Sequence, residues 1–230
     1  MSAPPTFYTA HIGNAPMFVA YFARLAGIEL DAQSLSIPKG EHKLPDYLAV
    51  APTGQLPGLR DGDVTVWEST AIVRYLAAKH ESAAYPLHDA ERLAPIDSAF
   101  SWLWFNAWTS ERDIAVQTFL IGVIQGGTPD LDKVADATAR FKKNLEFMDA
   151  TFFQTSPEFV VGNEPTVADA LAGTLLWHTE VAARAEIDLS AYPRVHHYWT
   201  QLQATAAYRE TFEVAYAAVA GLRAAKGLPA

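Results

Sequence analysis

The residues whose types and spacing best suit ligand chemistry lie within positions 53–76. Pro57 interrupts an apolar, strand-like run, and a cis bond before it would turn the backbone N–H and C=O of Leu56 away from the sheet, toward an extended peptide ligand. Further along, Glu68 and Ser69 open a helical pattern, and a helix amino terminus attracts anions. A carboxylate and a hydroxyl there suit the ammonium and carboxylate of an amino acid. The segment therefore predicts a site for a peptide-like ligand; the alternative is a hairpin followed by an N-capping serine.

A β-hairpin and a helix are predicted to position these residues. Asp61-Gly62-Asp63 is typical of a tight hairpin turn, because Asp-Gly accommodates the positive φ values of that turn. Residues 64–67 alternate and are mostly β-branched, so they are predicted to form the returning strand. The apolar residues that follow recur at helical spacing up to position 76. The hairpin should therefore lead the chain directly to the amino terminus of a helix.

The order of these motifs resembles the glutathione-binding half of the glutathione transferases. This chain reads P-T-G-Q-L-P-G-L, then D-G-D, then W-E-S-T-A-I-x-x-Y-L. The family pattern is N-P-x-G-x-V-P-x-L, then D-G, then x-E-S-x-A-I-x-x-Y-L. Several separate elements match in the same order, which is more specific than a single glycine motif. The match is nearest to theta-like and fungal asparagine-type members of the family.

The resemblance implies an α/β domain followed by an all-α domain. We expect a thioredoxin-like, glutathione-binding domain over residues 1–81, a linker over 82–90, and an all-helical carboxy-terminal domain over 91–230. Glutathione would be the co-substrate, with no metal ion, and a small electrophile would be the second substrate. The resemblance also implies a homodimer, a cytoplasmic location and a role in detoxification.

The composition excludes several classes of function. Of the 230 residues, 50% are apolar and 19% are charged, which predicts a packed core. The formal charge of −9 argues against nucleic acid and against an anionic membrane surface as partners. The chain has no cysteine, hence no protein thiol nucleophile, disulfide or cysteine-ligated metal. We also expect no signal peptide at positions 1–5 and no membrane span, because no apolar run reaches about 18 residues.

The remaining pattern predicts a β-α-β start and then a series of helices. A strand at 6–9 leads through a loop to a helix that has Pro16 in its first turn and Gly27 as its stop. A second strand lies within 28–37, and residues 38–50 are irregular. The helices expected in the second domain span 91–123, 130–153, 166–184, 193–204 and 208–226.

One further match to the family is interpreted as structural. Residues 161–169 read V-G-N-E-P-T-V-A-D and are similar to the family's G-x-x-x-[ST]-x-A-D segment. Thr166 should cap a buried helix while Asp169 reaches back to backbone N–H groups, as in a capping box. Both residues are therefore placed outside the ligand site.

The resemblance assigns the nucleophile to the thiol of glutathione, which the protein must hold as a thiolate. A helix amino terminus and a hydrogen-bond donor lower the pKa of a thiol. Family members use a tyrosine at the end of the first strand, or a serine or cysteine before the first helix; this chain has no serine or cysteine between Tyr8 and Pro16. Three candidate donors stay open: Asn14, Tyr8 and His11. The competing interpretations are a helix cap for Asn14, strand packing for Tyr8 and a bystander for His11.

The other glutathione contacts follow from the resemblance. His42, in K-G-E-H, is similar to a theta-type histidine that faces the glycyl carboxylate, and Lys43 would share that role. Gln55 fits the same end of the tripeptide, and Leu56 would clamp its backbone. The carboxylate and hydroxyl at the helix start would hold the γ-glutamyl group. The predicted glutathione-binding residues are His42, Lys43, Gln55, Leu56, Pro57, Glu68 and Ser69.

The second substrate would lie between the two domains, under the first long helix. Phe105, Asn106 and Trp108 would face it, with Glu111 and Arg112 a turn further on. The alternative for this aromatic stripe is a core or dimer contact. No motif identifies the electrophile.

These observations predict a glutathione transferase that activates the glutathione thiol for attack on small, largely apolar electrophiles. Two alternatives stay open. One is a non-catalytic interaction module on the same fold, like the amino-terminal part of the gamma subunit of a eukaryotic elongation factor. The other is a glutathione-dependent isomerase or reductase that shares the glutathione site.

Overall fold

The amino-terminal part of the protein is an α/β domain built on one small sheet. The computed structural model describes residues 3–154, 158–182 and 187–228. The elements of this domain are β1 (Thr6–Thr9), α1 (Asn14–Leu25), β2 (Asp31–Ser34), α2 (Pro45–Leu48), β3 (Gly58–Asp61), β4 (Val64–Trp67) and α3 (Ser69–Lys79). The strand order is β2-β1-β3-β4, with β1 and β2 parallel and the other pairs antiparallel. This is the expected thioredoxin-like arrangement.

Helix α1 ends at the glycine expected to stop it. Gly27 has φ +67°, and Ile28 N donates to Ala23 O at 2.8 Å, which closes a Schellman motif. Because the buried Ile28 belongs to this turn, the second strand is shorter than the predicted 28–37. All four residues of β2 are exposed, and the strand lies at an edge of the sheet.

The register of the sheet brings three chain segments to one end. Tyr8 of β1 lies opposite Gly58 at the start of β3, and Gly58 lies opposite Trp67 at the end of β4. The chain leaves β1 toward α1 and leaves β4 toward α3 from this same end. The amino termini of two helices therefore adjoin the start of β3. We call this region, residues 8–14, 55–58 and 67–69, the site edge.

Beyond α3, the regular elements of the described residues are helices. The expected helix over 91–123 is helical throughout, but it consists of α4 (Ala90–Trp102) and α5 (Trp108–Ala115), each followed by a π-helical segment, Leu103–Ala107 and Val116–Ile124. Such π-helical turns are frequent at functional sites. None of the described helices is long and apolar enough to cross a bilayer. The remaining helices are α6 (Leu131–Thr151), α7 (Val167–Ala182), α8 (Pro193–Ala204) and α9 (Ala206–Ala225).

Helix α7 forms the centre of the second domain and also packs against α1 of the first. Most of its side chains are buried, and Trp177 is fully enclosed. The end of this helix expected near Arg184 lies outside the described residues. Because α7 is covered on nearly every side, its buried polar side chains need partners within the protein, and Thr174 and Thr179 donate to carbonyls of α7 itself.

The predicted cap of α7 is confirmed. Asp169 Oδ2 accepts from Thr166 N at 2.8 Å, and Oδ1 accepts from Val160 N at 2.8 Å and from Tyr198 OH at 3.2 Å. Burial raises the pKa of Asp169 to about 6, even though these donors act in the opposite direction. All of these partners belong to the second domain.

The segment between α3 and α4 packs on the second domain. Tyr85 is buried and its OH donates to Asp97 Oδ1 at 2.6 Å, while Val167 N donates to Ala84 O at 2.9 Å. These bonds tie the segment to α4 and to the start of α7. The domain boundaries given above, with a linker over 82–90, stay a prediction.

Candidate functional site

Asn14 is the first residue of α1, and its side chain contacts the second domain instead of capping the helix. Gly13 occupies the N-cap position, and Met17 N donates to Gly13 O at 3.1 Å. Asn14 Nδ2 donates to Glu111 Oε2 at 2.7 Å. Helix capping therefore does not account for Asn14, whose amide lies at the positive end of the α1 dipole.

Glu111 is fully buried between the two domains. Its side chain was expected to face a second substrate, but none of it is exposed. Besides Asn14, it contacts His178 of α7, whose Nδ1 lies 2.5 Å from Glu111 Oε1. A carboxylate in the interior needs such partners, because an unpaired buried charge is strongly destabilising. The result is a hydrogen-bonded chain from α1 through α5 to α7.

One atom of this hydrogen-bonded chain, in the side chain of Asn14, has no partner in the described part of the protein. Asn14 Oδ1 is shielded from solvent and accepts no hydrogen bond from the described residues. Buried polar atoms are satisfied in the great majority of cases, and each exception calls for an explanation. This exception lies at the residue where the sequence predicts thiol chemistry.

Tyr8 is part of a small aromatic wall at the site edge. Its ring packs edge-on against Tyr47, with 5.5 Å between ring centroids. The Tyr47 OH donates to Gln55 O at 2.5 Å, and burial, with a smaller contribution from Tyr8, raises the pKa of Tyr47 above its usual range. His11 lies apart from this wall, half-buried beside a cavity of about 590 Å³ that Met17 also lines.

The residues predicted for the glycyl end of glutathione lie beside Gln55. Lys43 Nζ donates to Gly54 O at 3.1 Å and to Thr53 O at 3.4 Å, so its stem is fixed against the loop before Gln55. His42 precedes it in a short 3₁₀ turn, and its Nδ1 is buried without a partner among the described residues. Lys43 and Gln55 are themselves exposed.

The peptide bond between Leu56 and Pro57 is cis, which confirms the prediction made from the sequence. Pro57 is buried and Leu56 half-buried. Leu56 packs against the small cluster that contains Tyr47. The backbone before β3 therefore lies next to the aromatic wall.

Glu68 and Ser69 form the turn between β4 and α3. Glu68 has φ +71°, an uncommon value for a residue other than glycine, and its carbonyl accepts from Ile72 N at 2.9 Å. Backbone conformations of this kind cluster at ligand and active sites. Ser69 is the first residue of α3 and is 4% exposed, whereas the Glu68 side chain is exposed. This turn places a hydroxyl and a carboxylate at the amino terminus of α3.

The residues predicted for the second substrate fall on different sides of one helix. Phe105 is 72% exposed, and the neighbouring Asn106 O accepts from Asn144 Nδ2 of α6 at 3.1 Å. Trp108 is buried and stacks on Trp104, with 4.7 Å between centroids. The fourth predicted residue, on the turn after these, is Arg112, which is exposed.

Sequence reasoning missed two residues of the site. His178 lies in the apolar run of α7, and the only available signal was that a histidine there needs a buried partner. Tyr47 lies in a stretch that was predicted to be irregular, and it is instead the buried face of α2. Within the described parts of the chain, no cluster of histidine and carboxylate side chains has the geometry of a metal site.

Comparison with known proteins gives a consistent result. Residues 5–78 match the family model for the glutathione S-transferase amino-terminal domain, and residues 128–198 match that for the carboxy-terminal domain. A probable glutathione S-transferase, GSTF2, of Oryza sativa subsp. japonica is 33% identical over 186 residues, covering 78% of this chain and 82% of the relative. Glutathione S-transferase 3 of Zea mays is 28% identical, covering 91% and 93%.

Among solved structures, a glutathione S-transferase-I bound with the ligand lactoylglutathione superposes with a TM-score of 0.81. It is 25% identical, and the match covers 92% of this chain and all of that one.

Proposed function

We propose a specific activity for this protein from one established premise: the chain belongs to the glutathione S-transferase family. It binds glutathione at the site edge and holds the thiol as a thiolate, which attacks a small, largely apolar electrophile. The observation that carries this proposal is the position of Asn14. Its amide lies at the amino terminus of α1 and takes no part in capping. The amide nitrogen has two N–H groups, and because one of them donates to Glu111, the other can donate to the thiolate.

The energies of these contacts suffice for activation. A helix dipole stabilises an anion by about 0.3–1 kcal/mol at an exposed site, and one charge-assisted hydrogen bond adds about 1.5–3 kcal/mol. At about 1.36 kcal/mol per pKa unit, together they lower the pKa of the thiol by about one to three units. A free thiol titrates near 8.5, so thiolate would be well populated at neutral pH.

The reaction then needs no nucleophile from the protein. The thiol proton passes to solvent, the sulfur lone pair attacks an electron-poor carbon, and a C–S bond forms. With a chloro-aromatic substrate, the C–Cl bond breaks and chloride leaves with the bonding electrons. Asn14 is the donor in this proposal; Tyr8 is the second candidate and His11 the third.

The remaining edge residues would hold the tripeptide. Glu68 and Ser69 would bind the γ-glutamyl group, because the positive end of the α3 dipole attracts its carboxylate and the Glu68 carboxylate attracts its ammonium. The backbone of Leu56, before Pro57, would pair with the peptide by strand addition. The glycyl carboxylate would lie near Gln55, with His42 and Lys43 beside it.

The second-substrate site, the oligomeric state, the location and the domain limits complete the proposal. The electrophile would bind between the domains, with Trp108 and Arg112 nearest to it. The exposed Phe105 and its neighbour Asn106 fit a contact in a homodimer as well as a substrate wall. A cytoplasmic location, a role in detoxification and the domain limits 1–81 and 91–230 belong to the same proposal.

Retention on immobilised glutathione, combined with turnover of a chlorodinitrobenzene, tests this function. The wild-type protein should be retained and should form the conjugate. Asn14→Ala should still be retained but should lose most of its turnover, whereas Asn163→Ala, a change in an exposed turn, should not. Retention without wild-type turnover would instead favour the interaction module. Turnover of an isomerisation or dehalogenation substrate alone would favour the other alternative.

A further inference from the structure

The buried pair of Glu111 and His178 carries an inference that rests on the proposed role of Asn14. We propose that Glu111 and His178 are positioning residues that hold the Asn14 amide in the single orientation that directs an N–H toward the thiolate. Neither residue touches glutathione in this proposal. They act on the reaction through Asn14, from the opposite domain.

The first step of the argument is that a carboxylate can only accept. Glu111 Oε2 lies 2.7 Å from the Asn14 amide, so the end of the amide that faces it must be the nitrogen. Exchanging the two ends would place Oδ1 against a negatively charged oxygen. Glu111 therefore excludes one of the two orientations of the amide plane.

The second step concerns the unpartnered atom. The excluded orientation would move Asn14 Oδ1 out of the shielded position in which it has no donor. The bond to Glu111 is the contact that distinguishes the two ends of the amide, so without Glu111 nothing among the described residues would select one orientation over the other. The observed orientation persists because the surrounding groups fix it, which is typical of residues held for a function.

The third step is the role of His178. Its ring nitrogen Nδ1 is 2.5 Å from Glu111 Oε1, and because the carboxylate accepts, that nitrogen carries the hydrogen. This bond fixes the second oxygen of Glu111. It also partly neutralises the carboxylate, which is separated from the expected thiolate by Asn14. The His178 ring is itself held by Phe119 at 6.0 Å and Trp177 at 5.6 Å between centroids. The carboxylate thus has no freedom to leave Asn14.

The test is a double-mutant cycle between Glu111→Leu and Asn14→Ala. Glu111→Leu should lower kcat about tenfold or more, the effect of losing one oriented charge-assisted donor, with the KM for glutathione within about twofold because its other contacts remain. In the Asn14→Ala background the same change should alter kcat by less than about threefold. In the single variant Glu111→Leu, the titration of bound glutathione, followed by thiolate absorbance, should shift to higher pH.

Two further variants separate positioning from folding. Glu111→Leu leaves the His178 N–H buried and unpaired, so Glu111→Leu/His178→Leu should fold like the wild type, since an apolar pair of similar volume replaces an ionic one. Its kcat should be as low as that of Glu111→Leu. Asp136→Ala is the control, because Asp136 is an exposed carboxylate of α6 that pairs with Arg140 of the same helix at 3.0 Å. That variant should retain wild-type turnover.

Each outcome decides between distinct conclusions. Equal losses from Glu111→Leu in both backgrounds, or no loss while Asn14→Ala is impaired, would overturn the positioning role and leave the proposed function standing. Unchanged turnover in Asn14→Ala would overturn both the positioning role and the assignment of Asn14. A wild-type protein that forms neither thiolate nor conjugate would overturn the proposed function itself. Recovery of turnover in the double leucine variant would show that Glu111→Leu had acted through folding.

Discussion

Two fully buried carboxylates, Asp169 and Glu111, differ in where their partners come from. Asp169 is held by backbone N–H groups and hydroxyls of its own domain, principally around its own helix terminus. Glu111 is held by Asn14 of the first domain and by His178 of another helix. A buried charge needs partners in the interior, and these hydrogen bonds supply them for each carboxylate.

The difference shows how to distinguish a folding residue from a functional one. Asp169 accepts from the N–H groups of Val160 and Thr166 and from the hydroxyls of Thr166 and Tyr198, which is the arrangement expected of a cap. The hydrogen-bonded chain through Glu111 ends at Asn14, whose Oδ1 is buried without a partner among the described residues and whose amide nitrogen is the proposed donor to the thiolate. Removing the Asp169 side chain should therefore lower the free energy of unfolding, whereas removing the Glu111 side chain should lower turnover.

The largest effect should come from Asp169→Ala. This change leaves the N–H groups of Val160 and Thr166 unpaired in the interior, at about 1–3 kcal/mol each. We expect the free energy of unfolding in urea to fall by about 3 kcal/mol or more. Asp130→Ala, which removes an exposed cap of α6, should cost only about 0.5–2 kcal/mol. Equal losses in the two variants would remove the distinction between the buried and the exposed cap.

The second effect concerns the pH dependence of stability. Burial raises the pKa of Asp169 from 3.8 to about 6, so the folded state binds this proton more tightly than the unfolded state. The part of the stability that comes from binding this proton is therefore fully present below about pH 4 and is lost as pH rises through about 6, whereas the hydrogen bonds that Asp169 accepts are lost only when the side chain is removed. The carboxyl carbon resonance of Asp169 should titrate near pH 6. A midpoint at or below that of exposed aspartates would contradict the dominance of burial.

The third effect is expected at Asn14. Asn14→Ala should raise the pKa of bound glutathione by about one to two units, since a charge-assisted donor worth about 1.5–3 kcal/mol is lost. Thiolate absorbance measured against pH would report it, and Tyr8→Phe should leave the titration nearly unchanged. The reverse pattern would transfer the role to Tyr8. If neither variant moves the titration, backbone N–H groups alone hold the sulfur.

The smallest effect is expected at the other helix terminus of the site edge. Ser69→Ala should weaken glutathione binding by about 1–3 kcal/mol, the cost of leaving a buried polar group of the complex unpaired. Calorimetry would measure the affinity. Ser98→Ala, on the exposed face of α4, is the control and should bind as the wild type does. Unchanged affinity in a folded Ser69→Ala protein would remove Ser69 from the site.

The sequence by itself determined the features whose causes lie within a few residues. The cis bond before Pro57, the stop at Gly27 and the cap at Asp169 all follow from local backbone chemistry, and all are present. The family resemblance and the order of strands and helices belong with them, because the hairpin and the helix periodicity are short-range patterns. For this reason the thioredoxin-like and all-helical architecture was predictable.

Only the tertiary structure decided which polar groups meet in the interior. Asn14 and Glu111 are 97 positions apart, and Glu111 and His178 are 67 apart. Their contact depends on how α1, α5 and α7 pack across the two domains, and the π-helical segments on either side of α5 change the faces that this helix presents. A periodic pattern identifies the buried face of a helix but not the helix that covers it. Hence the sequence predicted that Glu111 faces a substrate, and it assigned no role to His178. In the structure, Glu111 bonds to Asn14, the residue proposed to activate the thiol, and His178 bonds to Glu111.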